Sequence, residues 1–240
     1  MKQTGLKALE LVWEGIVEAV RLLLRLDPEV LRVSWLTLKV SGIATLISVI
    51  IGVPLGAVLA LTRFPGRDFL VSLANLGMGL PPVVVGLWVS IFLWRQGPLG
   101  WLGIMYTPAA IIVAQAVIAA PIVVSFSLAA FQQLNPRLRL QLLALGASRW
   151  QVFWYLAKEA RLGILAAVMA GFGGVVSEVG ASMMVGGNIK GETRVLTTAI
   201  AMEVARGNFG LAIALSIILL LLAYGIVAVL TAAQQRRQVS

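Results

Sequence analysis

The sequence contains no histidine and no cysteine. These two absences exclude disulfide frameworks, thiolate or imidazole metal sites, and any catalysis that needs a His base or a Cys nucleophile. Charge is scarce as well, with 12% of the 240 residues being Asp, Glu, Lys or Arg, against about 25% in ordinary soluble domains. No G-x-x-x-x-G-K-[ST] string occurs, so the chain does not hold nucleotide through that phosphate loop. What is present instead is apolar: 60% of residues, with a mean hydropathy of +0.96. A soluble fold of this length could not cover so much apolar surface, and the chain reads as an all-α integral membrane protein. Nineteen basic residues stand against ten acidic ones. On a chain this apolar, the excess points to loops facing an anionic leaflet rather than to nucleic acid.

Stretches without charge locate the membrane spans. Residues 40–62, 69–94, 96–136 and 207–235 carry no charged side chain, and 162–189 carries only Glu178. About 20 apolar residues cross the hydrocarbon core, so each stretch holds one helix. Gln96-Gly97-Pro98-Leu99-Gly100 is turn chemistry, which moves the third start to Thr107-Pro108. Five spans are predicted, at 33–61, 70–94, 108–131, 162–185 and 208–231. Arg63, Arg67, Arg137, Arg139, Arg149, Lys158, Arg161, Arg236 and Arg237 then fall on one side. The positive-inside rule makes that side, with the C-terminus, cytoplasmic.

Residues 1–26 form a separate segment. Within 5–26, Lys7, Glu10, Glu14, Glu18, Arg21 and Arg25 recur at steps of three or four, opposite Leu9, Val12, Trp13, Ile16, Val20, Leu23 and Leu24. Six charges are costly in hydrocarbon, so an amphipathic helix in the interface is favoured over a sixth span. Asp27-Pro28-Glu29 reads as a cap, a helix-starting proline and an acid at the positive helix end. The membrane unit therefore runs over 27–233, followed by a polar tail at 234–240.

The connection 132–161 is the longest between spans. Asn135-Pro136 starts a helix carrying Leu138, Leu142 and Leu145 on one face, and Gly146-Ala147-Ser148 supplies a helix stop and a new N-cap. A second short helix then presents Trp150, Phe153, Trp154 and Tyr155. Two readings of these aromatics stand open: a surface that docks a partner, and an aromatic belt at the membrane interface.

Glycine and proline recur at membrane depth. Gly52, Pro54 and Gly56, then Gly79-Leu80-Pro81-Pro82, Pro121, and Gly171, Gly173, Gly174 and Gly180 lie in successive spans. The glycines at 52, 56 and 171 suit close helix packing, and Pro81-Pro82 suits a kink lining a path. Glu178, alone in its span, is either a gate residue or a structural hydrogen-bonding group. Gln115, Ser177 and Ser182 are neutral polar groups able to tie helices together or to touch a passing anion. The loop 186–207, with Lys190, Arg194 and Arg206, reads as an anion-attracting mouth, a docking surface or a plain solvated loop.

Helix, Gly-Ala-Ser, aromatic helix and span, in the largest cytoplasmic loop, resembles the coupling loop of binding-protein-dependent ABC importer permeases. The family's E-A-A positions fall on Leu140, Gln141 and Leu142, a departure, while Gly146-Ala147-Ser148 and Phe153-Trp154 match. GLPPVVVGLWV (79–89), GPLG (97–100), the run 114–121 and the long string 177–215 are similar to the tungstate-type branch of oxyanion permeases, with molybdate and sulfate permeases adjacent. The resemblance implies a type I importer transmembrane domain of five core helices, in a bacterial or archaeal plasma membrane. It implies a homodimer, cytoplasmic ATPase subunits that hold the ATP and Mg, and an extracytoplasmic oxyanion-binding protein; this chain itself binds no cofactor, metal or nucleic acid. On it, Ala144, Gly146, Ala147, Ser148, Arg149, Trp150, Phe153 and Trp154 belong to the ATPase-coupling loop. Pro81, Pro82, Ser177, Glu178, Gly180 and Ser182 are candidates for the pathway or gate, and Lys190, Arg194 and Arg206 for the outer mouth. An alternative from another class is a non-transporting membrane scaffold whose aromatic loop recruits a cytosolic partner.

Overall fold

The computed structural model describes the backbone of residues 2–236, and the side chains of 10–232, 234 and 235. Residues 237–240 of the expected tail, and the side chains of Lys7 and Leu9, lie outside that description. Eleven α-helices and no strand occur among the described residues: α1 (Lys2–Leu24), α2 (Pro28–Leu61), α3 (Arg67–Met78), α4 (Pro82–Leu93), α5 (Pro108–Gln132), α6 (Pro136–Ala144), α7 (Arg149–Glu159), α8 (Arg161–Val176), α9 (Gly180–Gly186), α10 (Leu196–Ala205) and α11 (Phe209–Arg236). A 3-10 turn at Gly100–Leu102 precedes α5. By length and composition α2, α5 and α11 can each cross a membrane alone, and up to five spans result if each bent helix pair counts as one.

Local chemistry explains where the helices start. Asp27 Oδ1 accepts from the backbone N–H of Glu29 and Val30, both at 3.0 Å, and Pro28 opens α2 as the sequence predicts. The 34 residues of α2 make a rod of about 51 Å, longer than the ~30 Å hydrocarbon core. Its charge-free part begins after the exposed Lys39.

Two expected spans are broken helices. The 70–94 segment divides at Gly79-Leu80-Pro81 into α3 and α4, because Pro81 and Pro82 lack N–H donors and push the residues before them out of helical geometry. The 162–185 segment divides at Ser177-Glu178-Val179 into α8 and α9. The 186–207 connection, read as a loop, contains α10. The C-terminal helix continues through Arg236, so the expected polar tail begins as helix.

The chain forms two compact units. The first draws on Met1–Gly42, Pro82–Gln115 and Val176–Val229. Its core holds Val30, Val33, Leu196, Ala199, Leu215 and Ile218. Thr37 joins α2 to α10 in this unit: its hydroxyl donates to the Val33 carbonyl at 2.7 Å and accepts from Leu196 N–H at 2.9 Å. In α1 the small residues Gly15 and Ala19 are buried while Trp13, Ile16 and Val20 are exposed, with Gly15 against Ile213 of α11. One described ion pair, Arg21–Glu18 at 2.7 Å, laces its charged face. α1 is not among the helices apolar enough to span.

The second unit draws on Ile43–Pro81, Ala116–Val175 and Leu230–Ser240. Its core includes Val53, Val123, Phe131, Val152 and Leu156. A Cβ added to Gly56 would stand 2.8 Å from Leu128 N and Val124 O, and one on Gly52 would stand 2.8 Å from Val123 Cγ1. The packing role expected for both glycines is therefore met, and Gly171 likewise packs on Val123.

Candidate functional site

The segment from α6 to α8 is the most elaborately built piece of surface in the second unit. Asn135 caps α6, its side chain accepting from Arg137 N–H at 3.0 Å. Gly146 follows α6 with φ of 81°, a left-handed conformation that glycine adopts without a Cβ penalty. Ser148 then caps α7 in a reciprocal box: Ser148 Oγ accepts from Gln151 N–H at 3.3 Å, and Gln151 Oε1 accepts from Ser148 N–H at 2.8 Å. The Ser-x-x-Gln spacing is a sequence signature of that box, so Gln151 is a functional residue legible in the sequence through its spacing from Ser148. After Ala160 the chain turns by 74° into α8.

α7 is docked by one face and open on the other. Val152 and Leu156 are buried in the core, and Phe153 packs partly against it. Trp150, Trp154 and Tyr155 stay exposed, at 66%, 57% and 58%. The rings are ordered against each other, with Trp150–Phe153 stacked at 5.6 Å and Trp150–Trp154 edge-on at 5.6 Å. Ala144 and Arg149 are exposed, and Ala147 packs partly on the core. Leu138 and Leu142 pack there too, but Leu145 does not share their face: it is 84% exposed, because the helix ends at Ala144 and the turn rotates it away.

In the first unit, Glu178 is buried beside the break before α9. Its Oε1 accepts from Ala181 N–H at 2.8 Å, and its backbone carbonyl accepts from the Thr197 hydroxyl at 2.9 Å. The carboxylate thus satisfies an orphan donor at a helix start, while the backbone carbonyl ties the break to α10; both bonds are of the structural kind. Gln115, fully buried, donates to Ser182 Oγ at 3.4 Å. Gly180 packs against Val83 of α4, and a Cβ on Gly86 of α4 would meet the Ala181 backbone at 2.5 Å. Pro82 opens α4, Pro81 is exposed just before it, and Ser177 is exposed at the break.

The three cations proposed for an outer mouth or a docking surface each pair with a carboxylate. Glu29 bridges Lys190 at 2.6 Å and Arg194 at 3.4 Å, and Arg206 pairs with Glu203 at 3.1 Å. Asp27, Glu18, Glu29 and Glu203 line the same cavity of about 460 Å³ as these bases. It is a mixed-charge surface rather than a bare anion-attracting one. No cluster of three or more Asp or Glu suited to a metal occurs among the described residues.

The described residues are thus all-α apart from turns, with several apolar helices, two broken segments and a capped aromatic helix bent by 74° from the helix that follows it. Residues 52–239 match the family described as "Binding-protein-dependent transport system inner membrane component", and the chain belongs to that family. It is 36% identical over 227 residues to the tungstate uptake system permease protein TupB of Peptoclostridium acidaminophilum, covering 95% of this chain and 100% of that one. A probable anion ABC transporter permease protein of Haloferax volcanii is 40% identical over 195 residues, covering 79% and 84%. Among solved structures, an inward-facing MetNI methionine ABC transporter chain superposes with a TM-score of 0.68 at 22% identity, over 90% of this chain and 98% of that chain. The fold is that of the type I ABC importer transmembrane domains.

Proposed function

We propose that this chain is the permease of an ATP-driven importer of tetrahedral oxyanions, with tungstate as the substrate. The observation that carries the reading is the near full-length similarity to a tungstate uptake permease, in a chain that keeps the α6–Gly146–α7 arrangement. Two copies form the working dimer, an ATPase subunit holding ATP and Mg docks at α7 of each, and a soluble anion-binding protein delivers substrate from outside. The α6–α7 side and the C-terminus face the cytoplasm of a bacterial or archaeal cell in this reading, which the excess of Lys and Arg in the connections 63–67 and 137–161 supports. α1 lies in the interface. Trp150 and Trp154 offer the ATPase a rigid aromatic surface, and the core-facing Val152 and Leu156 pass its displacement to the helices behind.

No Lys or Arg falls within 40–62, 69–94, 96–136, 162–189 or 207–235. A dianion stripped of water needs cations or several converging donors to bind tightly. In this reading the permease therefore holds the anion weakly, and selection among tungstate, molybdate and sulfate rests with the binding protein. The deciding experiment reconstitutes permease, ATPase and binding protein in proteoliposomes. ATP-dependent tungstate accumulation is expected. Accumulation of molybdate or sulfate instead assigns the neighbouring branch, and a chain that brings down no ATPase on purification is a scaffold.

A further inference from the structure

Gln115 of α5 and Ser182 of α9 meet inside the first unit, both buried, at 2% and 1% exposure. Gln115 Nε2 donates to Ser182 Oγ at 3.4 Å, the long limit of such a bond, and Gln115 Oε1 has no hydrogen-bond partner. An amide oxygen left without a donor in a dry interior costs stability. The bonds around α9 are uneven. Toward α4 the contacts are at backbone range: a Cβ on Gly86 would meet Ala181 Cα at 2.5 Å, and one on Gly180 would meet Val83 Cγ2 at 2.6 Å. The Thr197 hydroxyl holds the Glu178 carbonyl, at the break before α9, to α10. At the far end of α9 the Val185 carbonyl accepts from Tyr106 N–H at 2.9 Å, and the Gly186 carbonyl accepts from the Thr193 hydroxyl at 2.6 Å. Across to the middle of α5, by contrast, the polar link is the long Gln115–Ser182 bond.

We propose that this pair is a latch that parts during the transport cycle, and that Gln115 is kept polar for the parted state. The inference rests on the import reading above and adds to it the seam that opens. α9 leaves α5 together with α4 and α10, pivoting at the Tyr106–Val185 tie, and the freed amide and hydroxyl take up water. A side chain serving the closed arrangement alone would be apolar, since methionine fills a similar volume and leaves no orphaned oxygen. The unsatisfied amide therefore weakens the closed seam relative to the open one, which shifts the balance between the two. Gln115 is in this sense a positioning residue and not a contact to the anion. The latch needs no charge, which suits a helix that carries no Lys, Arg, Asp or Glu.

The chain has no cysteine, so a single introduced thiol reports exposure on the permease band without background. In proteoliposomes holding permease, ATPase and binding protein, Ser182→Cys should resist a small water-soluble methanethiosulfonate at rest and react several-fold faster during ATP turnover. Ala110→Cys, at a fully buried position of α5, should stay protected in both conditions. Gln115→Met should keep or raise the unfolding midpoint of the detergent-solubilised chain, because Ser182 can bond a carbonyl of its own helix instead. The same variant should still bring down the ATPase and should lower uptake roughly fivefold, the factor that one net hydrogen bond carries. Equal protection of Ser182→Cys at rest and in turnover overturns the latch, as does labelling that Ala110→Cys matches, or normal uptake by Gln115→Met. A lower midpoint for Gln115→Met also overturns it, since the pair is then a plain structural tie. Unfolding needs no transport, so a complex that moves no anion fails the import reading while the midpoint still decides on Gln115.

Discussion

Phe153 of α7 stacks on Phe131 of α5, with ring centroids 6.4 Å apart and planes 27° from parallel. Phe131 is fully buried, and Phe153 also stacks with the exposed Trp150. Three rings therefore run from the core of the second unit to its surface through the middle of α7. Each such pair adds about 0.5–1.5 kcal/mol beyond its buried area, so α7 is held as a fixed projection.

Phe153→Ala should destabilise the protein by about 2–3 kcal/mol, below the usual range for a fully buried Phe because Phe153 is half-buried. Phe153→Leu should cost under about 1.5 kcal/mol. Thermal unfolding of the detergent-solubilised chain measures both, and equal midpoints for the two variants would show that the stack carries no weight.

Trp150→Asp should leave the fold intact, because the side chain is exposed and an acid at the second position of α7 suits the positive helix end. Its effect should appear as loss of the ATPase on co-purification and loss of uptake. Gly146→Val forces a β-branched residue into a left-handed turn, a strain of about 1–3 kcal/mol, and should uncouple uptake with membrane insertion unchanged. Gly146→Asn should be milder. Normal uptake in both Trp150→Asp and Gly146→Val would remove α7 from the coupling role.

Glu178→Gln retains an Oε1 acceptor for Ala181 N–H, whereas Glu178→Ala leaves that buried donor unpaired at a cost of about 1–3 kcal/mol. Gln should therefore preserve stability and transport, and Ala should lose both. If Gln keeps stability but abolishes uptake in proteoliposomes, the negative charge itself acts on the pathway and the cap is secondary.

Gly56→Ala drives a Cβ into backbone atoms of α5 and should cost about 1–3 kcal/mol. Gly42→Ala meets nothing within 4 Å and should be neutral or stabilising, by up to about 1 kcal/mol. The pair, compared by unfolding midpoint, separates close packing from a general intolerance of α2 to larger residues.

Glu29→Gln removes the shared partner of Lys190 and Arg194. The carboxylate is partly exposed, so stability should fall by no more than about 1 kcal/mol. The clearer outcome is electrostatic: two bases lose their counter-charge, and stimulation of the ATPase by binding protein should become more dependent on ionic strength. An unchanged salt profile would place this cluster outside the docking surface.

What the sequence determined by itself is the part governed by short reach. Charge-free stretches mark membrane segments because hydrocarbon penalises charge wherever it falls. Asp27-Pro28-Glu29, Asn135-Pro136 and Gly146-Ala147-Ser148 set helix ends through bonds spanning two to four residues. Tertiary structure alone decided the rest. Glu29 meets Lys190 and Arg194 from more than 160 positions away, which puts a shared carboxylate between two cations of the loop. Glu178 became a cap tied to Thr197 only once α9 and α10 packed beside the break. Whether a lone polar or charged side chain faces a path, a partner or a helix end depends on which helices fold against it, and the interval along the chain does not carry that information.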